Sequence, residues 1–242
     1  MLKRPIKGIF PYICPWIIFD MCMNKQRTLL VKFKNEISQW ELPLFRGAVI
    51  ASMEHANILF HNHIGDNYRY SYPLIQYKRI SKHPSIVCIN EGADVIGEFF
   101  NDFPNEVTLS DKSVNLEIGN VKASTFLIQI WDSSFVYTIC KWLPFNQKNY
   151  AEFSKLAGTS ERTLYMERIL TGNILSMAKG LGITFEKHVE VKITKLEDMQ
   201  HVVHKGVKMQ SYDVEFITNV SLPNYIGLGK GVSMGYGMVV RI

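Results

Sequence analysis

The 242-residue chain has few cysteines and none of the cysteine spacings that mark a metal or redox site. Its four cysteines, Cys14, Cys22, Cys88 and Cys140, form no Cys-x-x-Cys pair and have no zinc-type Cys/His spacing. Four cysteines in a chain of this length also do not make a disulfide scaffold. We therefore expect reduced thiols in a cytoplasmic protein, with Cys88 and Cys140 in the cores of strands.

The chain also lacks a long apolar run and a strong excess of either charge. The longest apolar stretch, residues 8–19, is interrupted by Pro11 and Pro15 and is shorter than the about 20 residues that span a bilayer. We expect no membrane association. Lys and Arg number 27 against 22 for Asp and Glu, a net charge of +5 that permits a polyanionic partner without requiring one. With 47% hydrophobic residues, the composition excludes a disordered chain.

The N-terminal residues differ from the rest of the chain. Three basic residues precede the apolar stretch, as in a secretory signal, but its prolines and the lack of a small-x-small cleavage site argue against one. An over-extended gene start, with the true start at Met21 or Met23, is the first interpretation. An N-terminal flap is the second and a membrane anchor the last. Residues 1–26 are therefore treated as an extension without an assigned function.

Hydrophobic periodicity predicts the same order of elements twice. The first cycle has a strand at 28–33, a helix from Leu42 to about His61, a strand at 68–80, a strand at 85–90 and a helix at 91–102, followed by polar strands. The second cycle has a strand at 135–142, helices at 147–156 and from 159 or 160 to Gly180 or Gly182, and a strand at 188–193. A pair of strands over 202–220 turns at Lys205-Gly206, and a last strand covers 238–242. This order predicts an α+β fold of two tandem ferredoxin-like (RRM-like) domains packed together, at residues 27–132 and 133–242.

The strongest local signal is a glycine-rich loop, residues 227–237, immediately before the last predicted strand. It holds five glycines in eleven residues. Glycine permits positive φ and close backbone approach, and successive exposed N–H groups make an anion nest to which Lys230 would add a cation. A glycine-rich hairpin at a sheet edge explains the composition equally well. The loop is no phosphate-binding P-loop, because a strand and not a helix follows it.

The spacing of these glycines is more specific than their number. Gly227-Leu228-Gly229 and Gly235-Tyr236-Gly237, five residues apart, resemble the C-terminal signature of the RAMP superfamily of CRISPR-associated proteins. Residues 59–63 (LFHNH), 70–78 (YSYPLIQYK) and 90–93 (NEGA) narrow the resemblance to the repeat-RNA processing endoribonucleases found with type I-B-like systems. The resemblance covers the chain from Arg27 to its C-terminus and implies two ferredoxin-like domains, in agreement with the periodicity.

The resemblance implies cleavage of CRISPR precursor RNA within each repeat, without a metal or other cofactor. A 2′-hydroxyl of the RNA attacks the adjacent phosphate and leaves a 2′,3′-cyclic phosphate and a 5′-hydroxyl. The superfamily also contains non-catalytic RNA-binding subunits of effector complexes, which are the alternative function. A third alternative is an unrelated ferredoxin-like protein with a glycine-rich hairpin. The implied partner is repeat RNA, and a homodimer or an effector complex is compatible with the resemblance.

The implied chemistry needs a base for the 2′-hydroxyl and an acid for the leaving 5′-oxygen, roles that histidine fills near neutral pH. His61 and His63, at the predicted helix exit, are the candidates for general base or acid, with Tyr70 as a helper. Without the family, a His-x-His at a helix exit is more often a solvated loop. The letters HNH do not indicate an HNH nuclease, because no adjacent metal-binding pattern is present, and a zinc site lacks further ligands at usable spacing.

Candidate RNA-binding residues are glycines of the loop and basic residues elsewhere. On the long predicted strand, basic residues alternate with apolar and aromatic ones, a mixture suited to phosphate pairing and base stacking, although a solvated face is the ordinary interpretation. Lys78 lies roughly 25 Å from Tyr70 along an extended strand and is assigned to RNA binding rather than to cleavage. The complete set is Gly227, Gly229, Lys230, Gly235, Gly237, Arg46, Arg69, Lys78, Arg79, Arg162 and Arg168.

Overall fold

The structure, a computed structural model, describes most of the chain after the N-terminal extension. The described residues are 25–53, 57–61, 63–64, 67–68, 72–101, 103, 106–109, 112–197, 199–204 and 206–242, without the side chains of 63–64 and 67–68. The proposed extension up to residue 24, and the candidate site residues Arg69 and Tyr70, lie outside them.

The first domain has a four-stranded antiparallel sheet with the strand order β4-β5-β1-β8. Its elements are β1 (Lys25–Phe33), α1 (Leu42–Ala51), α2 (Ile58–His61), β2 (His63–Ile64), β3 (Asn67–Tyr68), β4 (Ile75–Ile80), β5 (His83–Ile89), α3 (Glu91–Asn101), β6 (Glu106–Leu109), β7 (Lys112–Asn115) and β8 (Ile118–Leu127). The pairs β2–β3 and β6–β7 form separate two-stranded hairpins.

The second domain repeats this topology, with the strand order β10-β12-β9-β13. Its elements are β9 (Ile130–Trp142), α4 (Gln147–Phe153), α5 (Thr159–Gly180), β10 (Val191–Leu196), β11 (Gln200–His204), β12 (Val207–Val220) and β13 (Met238–Arg241). In each sheet the third main strand lies between the second and the first, and the fourth lies at the opposite edge. The prediction of two tandem ferredoxin-like domains in an α+β fold is confirmed.

Local capping explains where several helices begin. Before α1, the Glu41 carboxylate accepts a hydrogen bond from the Ser38 N–H at 2.6 Å, and Pro43 occupies the first turn. The Asn146 side chain caps α4 by accepting from the Asn149 N–H at 2.7 Å. Helix α5 begins at Thr159 and ends at Gly180, as the periodicity predicts.

Two predicted elements are shorter in the structure. The helix predicted from Leu42 to His61 is two helices, because α1 ends at Ala51 and Asn57 starts α2 by accepting from the Leu59 N–H at 3.1 Å. The strand predicted over 68–80 begins only at Ile75, because Pro73 has no N–H for a ladder and its carbonyl instead accepts from the Gln76 side chain at 3.0 Å.

The domains pack together through the sheet of the first domain. Val87 and Ile89 of β5 belong to the same buried cluster as Trp142, Leu170 and Phe216 of the second domain. The other face of the first sheet packs on its own helices.

Cys88 is buried in β5 and Cys140 half-buried in β9, both as free thiols. Among the described residues, no helix is long and apolar enough to cross a membrane.

Candidate functional site

The glycine-rich loop lies at the junction of the two domains, against β4. The Gly227 N–H donates to Gln76 Oε1 at 3.0 Å, and the Tyr72 hydroxyl donates to the Gly227 carbonyl at 2.7 Å. Lys78 Nζ donates to the Val232 carbonyl at 3.1 Å. Three side chains from the first domain therefore hold a loop of the second.

Most of the loop amides are used inside the protein. The Leu228 N–H donates to the Gly237 carbonyl at 2.8 Å, Lys230 to the Leu143 carbonyl at 3.3 Å, and Gly237 to the Lys141 carbonyl at 3.1 Å. Gly227 and Gly237 are buried in this conformation, and their direct contact with RNA stays a prediction. Their task is close packing.

Gly229 and Gly235 are partly exposed but also serve the packing of the loop. Both have positive φ, at +89° and +86°, and a side chain on Gly235 would meet Leu42 of α1. On Gly229 it would meet the Trp142 indole. Lys230 is exposed between them. The loop is therefore a rigid turn that places Lys230 at the surface.

Lys78, a predicted RNA-binding residue, is fully buried in this conformation. It shares its face of β4 with Gln76, and that face meets the glycine-rich loop and not solvent. Burial lowers the pKa of its ammonium group to about 7. RNA cannot contact Lys78 in this conformation. Tyr77, on the opposite face, is also buried, in the core of the first domain.

His61 ends α2 and is half-buried, and two side chains hold the backbone beside it. Arg46 of α1 donates from Nη2 to the His61 carbonyl at 2.9 Å, and the Tyr77 hydroxyl donates to the Phe60 carbonyl at 3.5 Å. The Arg46 guanidinium lies 5.8 Å from the centre of the Tyr77 ring, and burial lowers its pKa. Arg46 thus contacts the proposed catalytic turn and not an open surface.

The two histidines differ in what the structure describes. His61 is placed with its side chain, whereas His63 is placed only by its backbone, as the first residue of β2 paired with Tyr68. The β2–β3 hairpin therefore follows α2 directly. Helix α1 connects this region to the glycine-rich loop, since Leu42 packs on Gly235 and Arg46, one turn later, holds His61.

Positive charge collects where β4 and β9 end beside the loop. Arg79 donates from Nε to the Ile37 carbonyl at 2.6 Å. Burial, together with the nearby charge of Arg79, lowers the pKa of Lys141, while Asp213 acts in the opposite direction. Asp213 Oδ1 accepts a hydrogen bond from the Lys141 N–H and offsets part of this charge, so Arg79 and Lys141 together leave a net positive charge that favours an anion such as a phosphate.

Tyr236 and His204 lie on the other side of the loop. Their rings meet edge to face with centroids 5.3 Å apart, at the end of β11. Sequence reasoning left His204 unassigned and did not find Lys141. Tyr236 could have been found, because it is the middle residue of the second Gly-hydrophobic-Gly triplet.

Arg162 and Arg168 are exposed on α5 and are not brought to this junction. Arg162 donates from Nε to the Leu156 carbonyl at 2.8 Å and lies 5.4 Å from the centre of the Phe153 ring. Arg168 lies beside His188 and Glu190 on the outer surface of the second domain.

Two tandem ferredoxin-like domains are the fold of the Cas6 class of CRISPR-associated proteins, to which solved structures similar to this chain belong. A family model for the Cas6b N-terminal domain matches residues 24–126, and one for the Cas6b C-terminal domain matches residues 129–242. The chain therefore belongs to the Cas6b family. The resemblance stated from the sequence is confirmed.

Two solved structures and one further protein are similar to this chain. A crystal structure of Cas6b superposes with a TM-score of 0.83 at 29% identity, covering 90% of this chain and 100% of that one. A CRISPR RNA processing endoribonuclease Cas6b gives a TM-score of 0.71 at 26% identity with the same coverages. An uncharacterised protein of Methanocaldococcus jannaschii is 40% identical over 104 residues, which are 43% of this chain and 69% of that protein.

Proposed function

We propose that the protein is a metal-independent endoribonuclease that cuts CRISPR precursor RNA within its repeats. The observation that carries the proposal is His61 at the end of α2, with its backbone held by Arg46 of α1, the helix that also packs on the glycine-rich loop through Leu42. Membership in the Cas6b family and the similarity to a CRISPR RNA processing endoribonuclease supply the substrate class.

The reaction is an internal transesterification. The 2′-oxygen of the nucleotide 5′ of the cut attacks the adjacent phosphorus, and the bond from phosphorus to the 5′-oxygen breaks. A base takes the proton of the 2′-hydroxyl, and an acid gives a proton to the departing 5′-oxygen. The products are a 2′,3′-cyclic phosphate and a 5′-hydroxyl. His61 or His63 takes one of these two roles, and Tyr70 stays a predicted helper.

The cations at the junction bind the substrate in this proposal. Arg79, Lys141 and Lys230 offer charge to the phosphates next to the cut, where negative charge grows in the transition state. The glycine-rich loop contributes indirectly by fixing Lys230 and the backbone of Lys141. Repeat RNA is accordingly the proposed partner.

The proposal is tested with His61→Ala, His63→Ala and the double variant, on labelled repeat RNA. We expect the double variant to lose cleavage by about 100-fold or more, the usual effect of removing general acid–base catalysis, with unchanged RNA affinity. His188→Ala, which changes an exposed histidine on the outer surface of the second domain, is the matched control and should cut like the wild type. Cleavage at the wild-type rate by the double variant would overturn the histidine assignment.

Binding without cleavage by the wild type would have a different meaning. It would replace the enzyme by a non-catalytic RNA-binding subunit of an effector complex. Failure of the wild type to bind repeat RNA at moderate salt would leave only the fold in common with the family.

A further inference from the structure

An aromatic cavity lies in the second domain, between α4, the first turns of α5, and strands β10 and β12. Its volume is about 420 Å³, within the range of roughly 300–1,000 Å³ typical of ligand sites. Three aromatic residues, Tyr150, Phe153 and Tyr212, form part of its wall. Arg162, Met199 and Gln210 are among the other lining residues.

The aromatic wall of the cavity has two buried rings, Phe153 and Tyr212, and one exposed ring, Tyr150. The buried rings of Phe153 and Tyr212 pack on Phe145 with centroid distances of 4.5 and 5.9 Å. Tyr150, in contrast, is 45% exposed, although its ring is anchored 6.0 Å from the same Phe145. An exposed and anchored ring is a good platform for stacking, because little side-chain freedom is lost when a planar group binds.

A carboxamide supplies the polar edge of the cavity. The Tyr212 hydroxyl donates to Gln210 Oε1 at 2.8 Å, and Gln210 Nε2 donates to the Tyr150 hydroxyl at 3.5 Å. Burial raises the pKa of Tyr212 to about 12, so this hydroxyl keeps its proton and fixes the orientation of the amide. A fixed amide presents a donor and an acceptor side by side, which matches the edge of a nucleobase.

The charge of the lining favours a phosphate-bearing ligand. Among the described residues that line the cavity, Arg162 is the one charged residue and none is a carboxylate. Its guanidinium is fixed by the Leu156 carbonyl and by the Phe153 ring. An apolar peptide would gain nothing from this guanidinium, whereas a nucleotide would use both the charge and the rings.

The cavity is also connected to the proposed cleavage site. The β11–β12 hairpin carries Gln210 at one end and His204, beside Tyr236 of the glycine-rich loop, at the other. From Met199 to His204 the hairpin spans about 17 Å, at roughly 3.3 Å per residue. One RNA strand can therefore follow the hairpin from the junction to the cavity.

We propose that this cavity binds one unstacked nucleobase of the RNA, with the base stacked on Tyr150 and its phosphate near Arg162. The proposal rests on the proposed function, because it takes the ligand to be RNA. It adds a second point of contact, outside the domain junction, through which the protein selects the conformation of its substrate.

The test is an abasic scan of the repeat RNA from the protein's own array, measured as the affinity of the full chain. Each RNA lacks one base and keeps every phosphate. In the wild type we expect one position to weaken binding by about tenfold or more. Tyr150→Ala should weaken binding of the intact RNA by a similar factor and remove the effect of that position. Tyr150→Phe, which keeps the ring, should retain the wild-type pattern.

Leu175→Ala serves as the control, because Leu175 is 47% exposed on the same helix α5 and does not line the cavity. The proposal is overturned if Tyr150→Ala binds the intact repeat as tightly as the wild type. It is equally overturned if Tyr150→Ala weakens all the RNAs by one factor, the sensitive abasic RNA included. If the wild type does not bind the repeat at all, the proposed function itself fails, and this outcome is distinct from the other two.

Discussion

Arg46 ties the end of α2 to the body of the first domain. Its guanidinium donates to the His61 carbonyl and lies against the Tyr77 ring, while its Nε is buried without a hydrogen-bond partner among the described residues. Sequence reasoning assigns Arg46 to RNA binding. Because it bonds to the His61 carbonyl, we propose that Arg46 acts as a positioning residue for His61.

Arg46→Met keeps the apolar stem and removes the donors. We expect the single-turnover rate of cleavage at saturating RNA to fall by about 10- to 100-fold, because a small displacement of a catalytic group has effects of this size. RNA affinity should hardly change, and Arg46→Lys should recover part of the rate. A loss of affinity with an unchanged saturating rate would show instead that Arg46 contacts RNA.

Lys78 makes the stability of the protein depend on pH. Burial lowers its pKa to about 7 in the folded protein, whereas an unfolded chain has the ordinary value of 10.5. Between these values the unfolded state binds more protons than the folded state, so the free energy of unfolding increases as pH rises. Below pH 7 both states are protonated, and the contribution of Lys78 becomes constant.

We predict that the free energy of unfolding of the wild type rises between pH 7 and pH 8.5 relative to that of Lys78→Met. The difference in slope should approach about 1.4 kcal/mol per pH unit at most. The measurement is denaturant unfolding at several pH values. Lys82→Met, in the adjoining turn with a side chain that is 66% exposed, is the control and should keep the wild-type slope. Equal slopes in the wild type and Lys78→Met would contradict the buried position of Lys78.

At the scale of elements, the glycine-rich loop is a packing device that carries one exposed cation. Gly237 has a φ of +62°, and a Cβ there would strike the Leu228 carbonyl. Gly182, just after α5, has a φ of +72° with nothing within 4 Å of a Cβ. A substitution at Gly182 therefore measures the cost of the left-handed backbone alone, whereas one at Gly237 adds the cost of a steric clash.

Gly182→Ala should destabilise the protein by about 1–2 kcal/mol, the cost of left-handed backbone for a residue with a Cβ. Gly237→Ala should cost clearly more, because the backbone must also move, and should release the loop from Lys141. Thermal or denaturant unfolding measures both. Equal losses in the two variants would mean that the loop is not packed as described.

The same elements show what the sequence could predict. The bounds of α5 and the turn of the β11–β12 hairpin follow from apolar periodicity and glycine turns, which are local properties. The late start of β4 depends on the Gln76 side chain bonding back to Pro73, and the split after α1 depends on the Asn57 cap. Such side-chain-to-backbone bonds compete with helix and strand in ways that periodicity does not register.

At the scale of the whole molecule, the contact between domains decides which of the predicted RNA-binding residues are exposed. Alternation along β4 correctly places Gln76 and Lys78 on one face and Ile75 and Tyr77 on the other. Whether the first face meets RNA or the second domain depends on a loop about 150 residues away in the sequence. That loop covers the face through the hydrogen bonds between Gly227 and Gln76 and between Lys78 and Val232. The local sequence pattern therefore predicts which residues lie at the junction, but it does not predict which of them are exposed.

Cleavage of labelled repeat RNA in EDTA tests the central claim most directly. One substrate is unmodified, and a second carries a 2′-deoxy substitution at the nucleotide 5′ of the cut. The account predicts that the first is cut to a 2′,3′-cyclic phosphate and a 5′-hydroxyl, and that the second binds but stays intact. Cleavage that needs an added divalent cation, or that proceeds on the 2′-deoxy substrate, would contradict it.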